Sequence, residues 1–296
     1  MRSRFFLADN PRAGYGSRRK VEAVLAALKA AGAVVTRTTA TCEADALAAM
    51  TEALASGSYD ALLVAGGDGT VRLGAKAALG TGVPIGVIPL GTGNVLAHEV
   101  GFPAAPADIA ALLLGAEVRT VTAARANGEL FLLMAGTGFD GRIIAALDLR
   151  LKQRVGKLAY AWPTVRALAE RPDSLEVSID NGPPVRAAWV VVANASRYAG
   201  AFAIAPRTSI ERPGLQAILF TGERVARLRQ LAALARGDLE AVASAANGTV
   251  TMLPCRTVAI RARQPVPVQL DGDPFGTTPL EVEAADVGVP LILPAR

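Results

Sequence analysis

Apolar residues along this chain follow two rhythms. Up to about Pro103, short unbroken apolar runs alternate with segments whose apolar positions recur at helical spacing, the pattern of strands buried on both faces between helices. Arg4–Ala8 predicts a first strand. After a turn dense in Asn, Pro and Gly, Ser17 is expected to cap a helix to about Ala31, with Val21, Val24, Leu25 and Leu28 on one face. Ala33–Arg37 predicts a second strand and Glu43–Ser56 a second helix. Ala61–Ala65 and Ile85–Leu90 predict two more strands, each followed by a helix, over Val71–Leu79 and Val95–Val100. A helix over Ala107–Leu114 closes this part, and Val118–Ala124 is expected to cross into a second domain.

Beyond that crossing the rhythm changes. Leu130–Ala135, Leu175–Asp180, Ala187–Ala193, Ala217–Phe220, Thr257–Arg261 and Val266–Leu270 read as strands separated by Gly and Pro turns, Asn181-Gly182 among them. Two helical stretches interrupt them, Arg150–Glu170 and Arg224–Ala246. The expected architecture is an α/β N-terminal domain over residues 1–122 and a mostly-β domain over 123–285, with Pro290–Leu293 a last strand.

Composition agrees with a packed chain. Of the 296 residues 51% are hydrophobic and 19% charged, which supports a sizeable core rather than disorder. No apolar run reaches the length of about 18 to 20 residues that a membrane-spanning helix needs. The apolar stretch at the N-terminus is too short for a signal peptide, so a cytoplasmic protein that begins directly on a strand is expected. Cys42 and Cys255 lie far apart without metal-ligand spacing, which argues against a disulfide framework or a zinc site.

The net charge of +5 suits phosphate ligands or an anionic membrane surface. Nucleic acid is not expected as a partner, because no zinc-finger, basic-zipper or RNA-binding motif occurs and the aromatics are not interleaved with basic residues. Both helical stretches of the second domain are basic. One carries Arg150, Lys152, Arg154 and Lys157 beside Tyr160 and Trp162, the other Arg224, Arg227, Arg229 and Arg236. Such faces either lie on anionic membranes or are simply solvated. Oligomeric state is left open.

The chemistry concentrates in two turns. Ala61–Ala65 leads to Gly66-Gly67-Asp68-Gly69-Thr70, and Ile85–Leu90 to Gly91-Thr92-Gly93-Asn94. In α/β sheets ligands sit beyond the carboxyl ends of strands, where both turns fall. Glycines let backbone approach a bulky anion, and the helix starts supply N–H groups and a favourable dipole. Neither GxGxxG nor GxxxxGK[ST] occurs here, so the dinucleotide fingerprint and the P-loop lose ground. Asp68 beside a phosphate would be repulsive unless Mg²⁺ stands between them or the carboxylate handles a proton. His98 is the one histidine and has no partners for a metal site.

Taken together, Asn10-Pro11 with Gly14, Gly66–Thr70, and Pro89–Asn94 with Ala97 resemble the three signatures of the diacylglycerol kinase catalytic family, which includes bacterial lipid kinases and sphingosine and ceramide kinases and is more distantly similar to NAD kinases. The resemblance continues through Gly136–Asp140, Gly156–Tyr160 and Leu270–Asp273, so it spans nearly the whole chain. It implies a nucleotide-binding α/β domain, completed by residues 286–296, and a β-sandwich that receives the lipid. It also implies ATP held by Asn10, Gly66, Gly67, Gly69, Thr70, Gly91, Thr92 and Asn94, with Asp68 serving Mg²⁺. Asp271-Gly272-Asp273 would face that site across a cleft, the second acid accepting the lipid hydroxyl's proton. The implied activity is phosphorylation of diacylglycerol or a ceramide or sphingoid lipid at the inner face of the membrane.

The chain departs from the family pattern in places. The second acid is Asp273 where the family has Glu. Val95 stands where many bacterial members carry Asp, and an Asn-x-Leu-Ala form of this kind keeps a sphingoid acceptor open. Arg212 and Gln216 replace acids of a turn linked to a structural Mg²⁺, so that second metal site is not expected. These losses keep two other readings in view: an NAD kinase-like enzyme, and a catalytically weak regulator that binds lipid or nucleotide.

Overall fold

The structure is a computed structural model that describes residues 1–9, 15–40, 42–245 and 248–295. It divides into two compact units, residues 1–121 with 287–296, and residues 122–286.

The first unit alternates strands and helices: β1 (Arg4–Asp9), α1 (Tyr15–Ala30), β2 (Val34–Thr39), α2 (Glu43–Ala55), β3 (Ala61–Gly66), α3 (Asp68–Ala78), β4 (Ile85–Pro89), α4 (Val95–Val100) and α5 (Pro106–Gly115). The strands pair in parallel in the order β2-β1-β3-β4. All six residues of β3 are buried, which is why the strand reads as an unbroken apolar run. Phe5, Leu7, Leu63 and Ile88 pack on one face against Val21, Val24 and Leu28 of α1 and Ile109 and Leu113 of α5. On the opposite face Gly74 of α3 lies close against Val64, where a Cβ would come within 2.7 Å of a Val64 methyl. Helix α1 starts at Tyr15, two residues before the expected cap at Ser17.

Strand β5 (Val118–Ala126) leads to the second unit, whose elements are β6 (Glu129–Phe131), β7 (Met134–Thr137), α6 (Phe139–Ala145), α7 (Leu149–Val155), a 3₁₀ turn (Gly156–Tyr160), α8 (Ala161–Ala169), β8 (Leu175–Ile179), β9 (Val185–Ala187), β10 (Trp189–Ala193), β11 (Arg197–Tyr198), β12 (Phe202–Ala203), β13 (Leu215–Phe220), α9 (Arg224–Arg236), α10 (Leu239–Ser244), β14 (Val250–Cys255), β15 (Thr257–Ala262), β16 (Pro267–Leu270), β17 (Asp273–Thr277) and β18 (Leu280–Ile292). One antiparallel sheet runs β14-β13-β10-β7-β16-β17. A second group runs β18-β15-β8-β9. Val190, Val192, Leu219 and Leu270 from the first meet Val177, Val258, Ile260 and Val282 from the second in a shared apolar core, a sandwich arrangement. The other face of the first sheet carries Trp189, stacked on Phe220 with ring centroids 3.8 Å apart and packed on Phe139 of α6. Near its end β18 pairs in parallel with β4 through Leu291 and Ile85.

Several boundaries differ from expectation. Leu130–Ala135 is two strands, with Leu132 and Leu133 turned aside between them. The stretch Arg150–Glu170 breaks at Gly156, whose φ of +61° no helix continues through. Arg224–Ala246 breaks at Gly237, a left-handed helix end. Strand β14, with exposed positions at Thr251, Leu253 and Pro254, carries too little apolar alternation to announce itself.

Candidate active site

In the first unit the two glycine turns are one piece of structure. Gly67 and Gly91 approach backbone to backbone: a Cβ on Gly91 would lie 2.7 Å from both the Gly67 Cα and the Asn94 side-chain oxygen. A Cβ on Gly66 would collide with the Thr70 side chain. The Leu90 N–H donates to the Gly66 carbonyl at 2.9 Å, closing the turns on each other.

Asp68 completes the link. Its carboxylate accepts the N–H groups of Val95 at 2.9 Å and Leu96 at 3.0 Å, and so caps the helix that follows the other turn. Asn94, the residue before α4, sits in the left-handed region at φ 45°, a conformation Asn tolerates better than most residues. Helix α3 begins at Asp68 with no side chain capping it. Gly66, Gly67, Asp68, Pro89, Asn94 and Leu96 line a concavity at this place.

Lys20 was not legible as a site residue. Its ammonium donates to the Pro89 carbonyl at 3.1 Å, at the entry to the second turn, and burial lowers its pKa. Position within the helix after the first glycine loop is the sequence signal that could have found it. Asn10, Pro11 and Gly14 lie outside the described residues.

Among the described residues no group of three or more His, Cys, Asp or Glu side chains could hold a metal. Asp68 nevertheless fits Mg²⁺ of the kind that accompanies a nucleotide. That ion is commonly held by one or two carboxylates plus phosphate oxygens and water, and Asp68 supplies a carboxylate where the two turns meet.

The second acidic group belongs to the other unit. Asp271-Gly272 is not a loose surface turn but the two-residue hairpin between β16 and β17, where Leu270 pairs with Asp273. Both turn residues have positive φ, 50° at Asp271 and 84° at Gly272, as the mirror-image hairpin turns require. The Asp271 carboxylate is 6% exposed and accepts three backbone N–H groups, from Leu132, Leu133 and Met134 at 2.9–3.0 Å. It holds the turn. Asp273 follows as the first residue of β17 and is half-buried.

A third feature of that unit is an exposed apolar surface on α7, the 3₁₀ turn and α8. Leu158 is 76% and Trp162 72% exposed, with Leu151, Val155 and Val165 also open. Exposed Arg150, Arg154 and Lys157 surround them, and the Lys152 ammonium stands 5.5 Å from the Tyr160 ring centre.

Comparison with known proteins bears on the fold and the family. Residues 4–126 match the family model for the diacylglycerol kinase catalytic domain, and residues 134–293 match that for the YegS C-terminal NAD kinase beta sandwich-like domain. A Pseudomonas aeruginosa protein named "Probable lipid kinase YegS-like" is 38% identical over 143 residues, 48% of this chain and 47% of that one. A Bacillus subtilis diacylglycerol kinase is 32% identical over 161 residues, 53% of this chain and 53% of that one. The chain thus spans about half the length of these curated relatives. The crystal structure of a diacylglycerol kinase from Bacillus anthracis has the same fold, with a TM-score of 0.77 over 99% of this chain and 98% of that one, at 22% identity. Matches that cover both units, on a fold whose glycine turns interlock through Asp68, place the chain in the diacylglycerol kinase catalytic family, with the sandwich-type C-terminal domain of YegS.

Proposed function

We propose that the protein is a lipid kinase that transfers the terminal phosphoryl group of ATP to a hydroxyl of a membrane lipid, diacylglycerol or a ceramide or sphingoid molecule. The observation that carries this reading is the joining of the two glycine turns by the Asp68 carboxylate, within a chain whose relatives are named as lipid kinases.

Phosphoryl transfer asks for positioned phosphates, charge neutralisation and a proton acceptor. The backbone around Gly66, Gly67, Gly69 and Thr70, with Gly91, Thr92 and Asn94, would hold the phosphates, and Asn10 would join them. Asp68 would hold Mg²⁺, which supplies charge neutralisation on the phosphate oxygens when bound. Asp273 would take the proton of the lipid hydroxyl, with Asp271 fixing the turn that presents it. Residues 123–285 would receive the lipid, and the exposed basic and apolar surface of α7 and α8 would rest on an anionic bilayer where that lipid resides.

Transfer of labelled phosphate from ATP should be measured against diacylglycerol, ceramide, a sphingoid base and NAD side by side. A phosphorylated lipid is the expected product; ATP binding without any lipid product would overturn the reading, and NADP would replace it. Asp273→Asn should lower turnover by about 100-fold or more while the fold persists, the usual scale for losing a general base. Near-normal turnover in that variant would remove Asp273 from this role.

A further inference from the structure

The motif Gly136–Asp140 leads to a buried carboxylate with no role so far. Asp140, the second residue of α6, is 2% exposed. Its Oδ1 accepts the Gly141 N–H at 2.8 Å and its Oδ2 accepts the Gln269 side-chain amide at 3.1 Å. The carboxylate lies over the cross-strand pair of Gly136 and Gln269, where a Cβ on Gly136 would collide with it. Gln269 is also 2% exposed, and its Oε1 accepts the Gly272 N–H at 2.8 Å. A continuous chain of hydrogen bonds therefore runs from the buried Asp140 through Gln269 to the residue next to Asp273.

The direction of this chain is forced. A backbone N–H can only donate, so the Gln269 atom facing Gly272 is the oxygen. The amide nitrogen then points at Asp140, whose Oδ2 must accept. An ionised carboxylate meets both demands. A proton on Oδ2 would set donor against donor, and the amide would turn over to offer its oxygen to Asp140. Its nitrogen would then oppose the Gly272 N–H, leaving that partly buried group without its acceptor.

We infer that Asp140 and Gln269 are a positioning pair that holds the Gly272 N–H, and with it the Asp273 carboxylate, in register for reaction, and that a proton on Asp140 releases this hold. The inference rests on the reading of Asp273 as proton acceptor.

The surroundings allow such a proton. Burial raises the Asp140 pKa to about 7. Tyr198, packed on Trp189 nearby, is held well above its usual 10, first by burial and then by the Asp140 charge, and stays neutral. Arg142 on the same helix is committed to Asp173 and Glu170. Arg227 of α9 stands 5.4 Å from the Phe139 ring centre and donates to the Ala167 carbonyl. The Asp271 carboxylate is turned to the Leu132–Met134 backbone.

Two measurements test the pair. The first is the exchange protection of the Gly272 amide by NMR in the unaltered protein, corrected for intrinsic exchange, between about pH 6 and 8 around the Asp140 pKa. Protection should fall as pH drops through about 7, and a flat profile would overturn the inference. The second is kcat and KM for lipid phosphorylation in Asp140→Asn, Gln269→Glu and the double variant. Asp140→Asn puts a permanent donor at Oδ2, so kcat should fall about 10- to 100-fold, the scale of a displaced reacting group, with KM for ATP unchanged. Gln269→Glu alone sets two carboxylates together and should also lower kcat. In the double variant the two side chains exchange roles: the amide now on α6 donates to the carboxylate now on β16, which still accepts from Gly272. Its kcat should therefore recover. Wild-type kcat in Asp140→Asn, or no recovery in the double variant, would overturn the pair. If the unaltered protein phosphorylates no lipid, the kinase reading falls, and the Gly272 amide still decides whether the pair holds the turn.

Discussion

Asp68 is where a single carboxylate joins two loops that are separate in sequence. Asp68→Ala strips the partner from the Val95 and Leu96 N–H groups, at a cost of about 1–2 kcal/mol, the usual scale for a lost cap. Phosphate transfer should vanish with it, whereas Asp68→Asn, which keeps one of the two accepting oxygens, should recover only part of the stability and none of the transfer. Urea unfolding beside a transfer assay separates the two effects; equal loss of stability in both variants would argue against the capping role. Gly91→Ala tests the contact between the turns. Its Cβ would meet the Gly67 backbone and Asn94 at 2.7 Å, and backbone cannot yield as a side chain does, so a loss of about 1–3 kcal/mol is expected together with weaker ATP binding by calorimetry. At this scale the glycine turns were legible because backbones that approach each other this closely need glycine. Lys20 and Gln269 were not, since a lysine and a glutamine in sequence carry no sign of which carbonyl or turn they will reach.

The β16–β17 hairpin shows what an element adds to its residues. Read in sequence, Asp271-Gly272-Asp273 is an ordinary turn; in the sheet it is fastened by three N–H groups to Asp271 and by Gln269 to Gly272. Asp271→Ala leaves those three donors without their acceptor and should cost about 2–5 kcal/mol, seen as a lower urea midpoint with unchanged slope. A shift within about 0.5 kcal/mol, as for an ordinary surface site, would show the turn is held some other way.

Helix α6 contributes a pH dependence. Burial raises Asp140 from an ordinary 3.8 to about 7, so between those values the folded chain holds a proton that the unfolded chain has lost. Stability from this group is fully present below about pH 4 and is lost as pH rises through about 7. Thermal melts of Asp140→Asn should lack this fall, and a parallel pH profile in both proteins would refute it. The broken helices belong to the same scale: Gly156 and Gly237 end helices that apolar spacing alone would continue, because their positive φ outweighs the periodicity on either side.

Across the whole molecule, the proposed contact with a bilayer rests on charge and exposed apolar surface. The net charge is +5, and Trp162 and Leu158 stand open among basic residues of the second unit. Among the described residues no helix is long and apolar enough to cross a membrane. Binding to vesicles of phosphatidylglycerol should therefore weaken as salt rises through the range where the screening length falls to about 8 Å. Trp162→Ala with Leu158→Ser should weaken it about 10-fold or more, the scale of two large side chains no longer entering the bilayer. Unchanged binding to anionic and neutral vesicles alike would exclude this surface as the contact. The sequence by itself determined the α/β and β-rich halves, the two glycine turns and the family, because strand burial, helix spacing and glycine at close backbone approach are local demands written residue by residue. Only the tertiary structure decided that Asp68 caps the helix after the other turn, that Asp271 anchors rather than lies open, and that Asp140 reaches the hairpin through Gln269. Those are contacts between residues from 3 to 139 positions apart, set by how the strands register against one another.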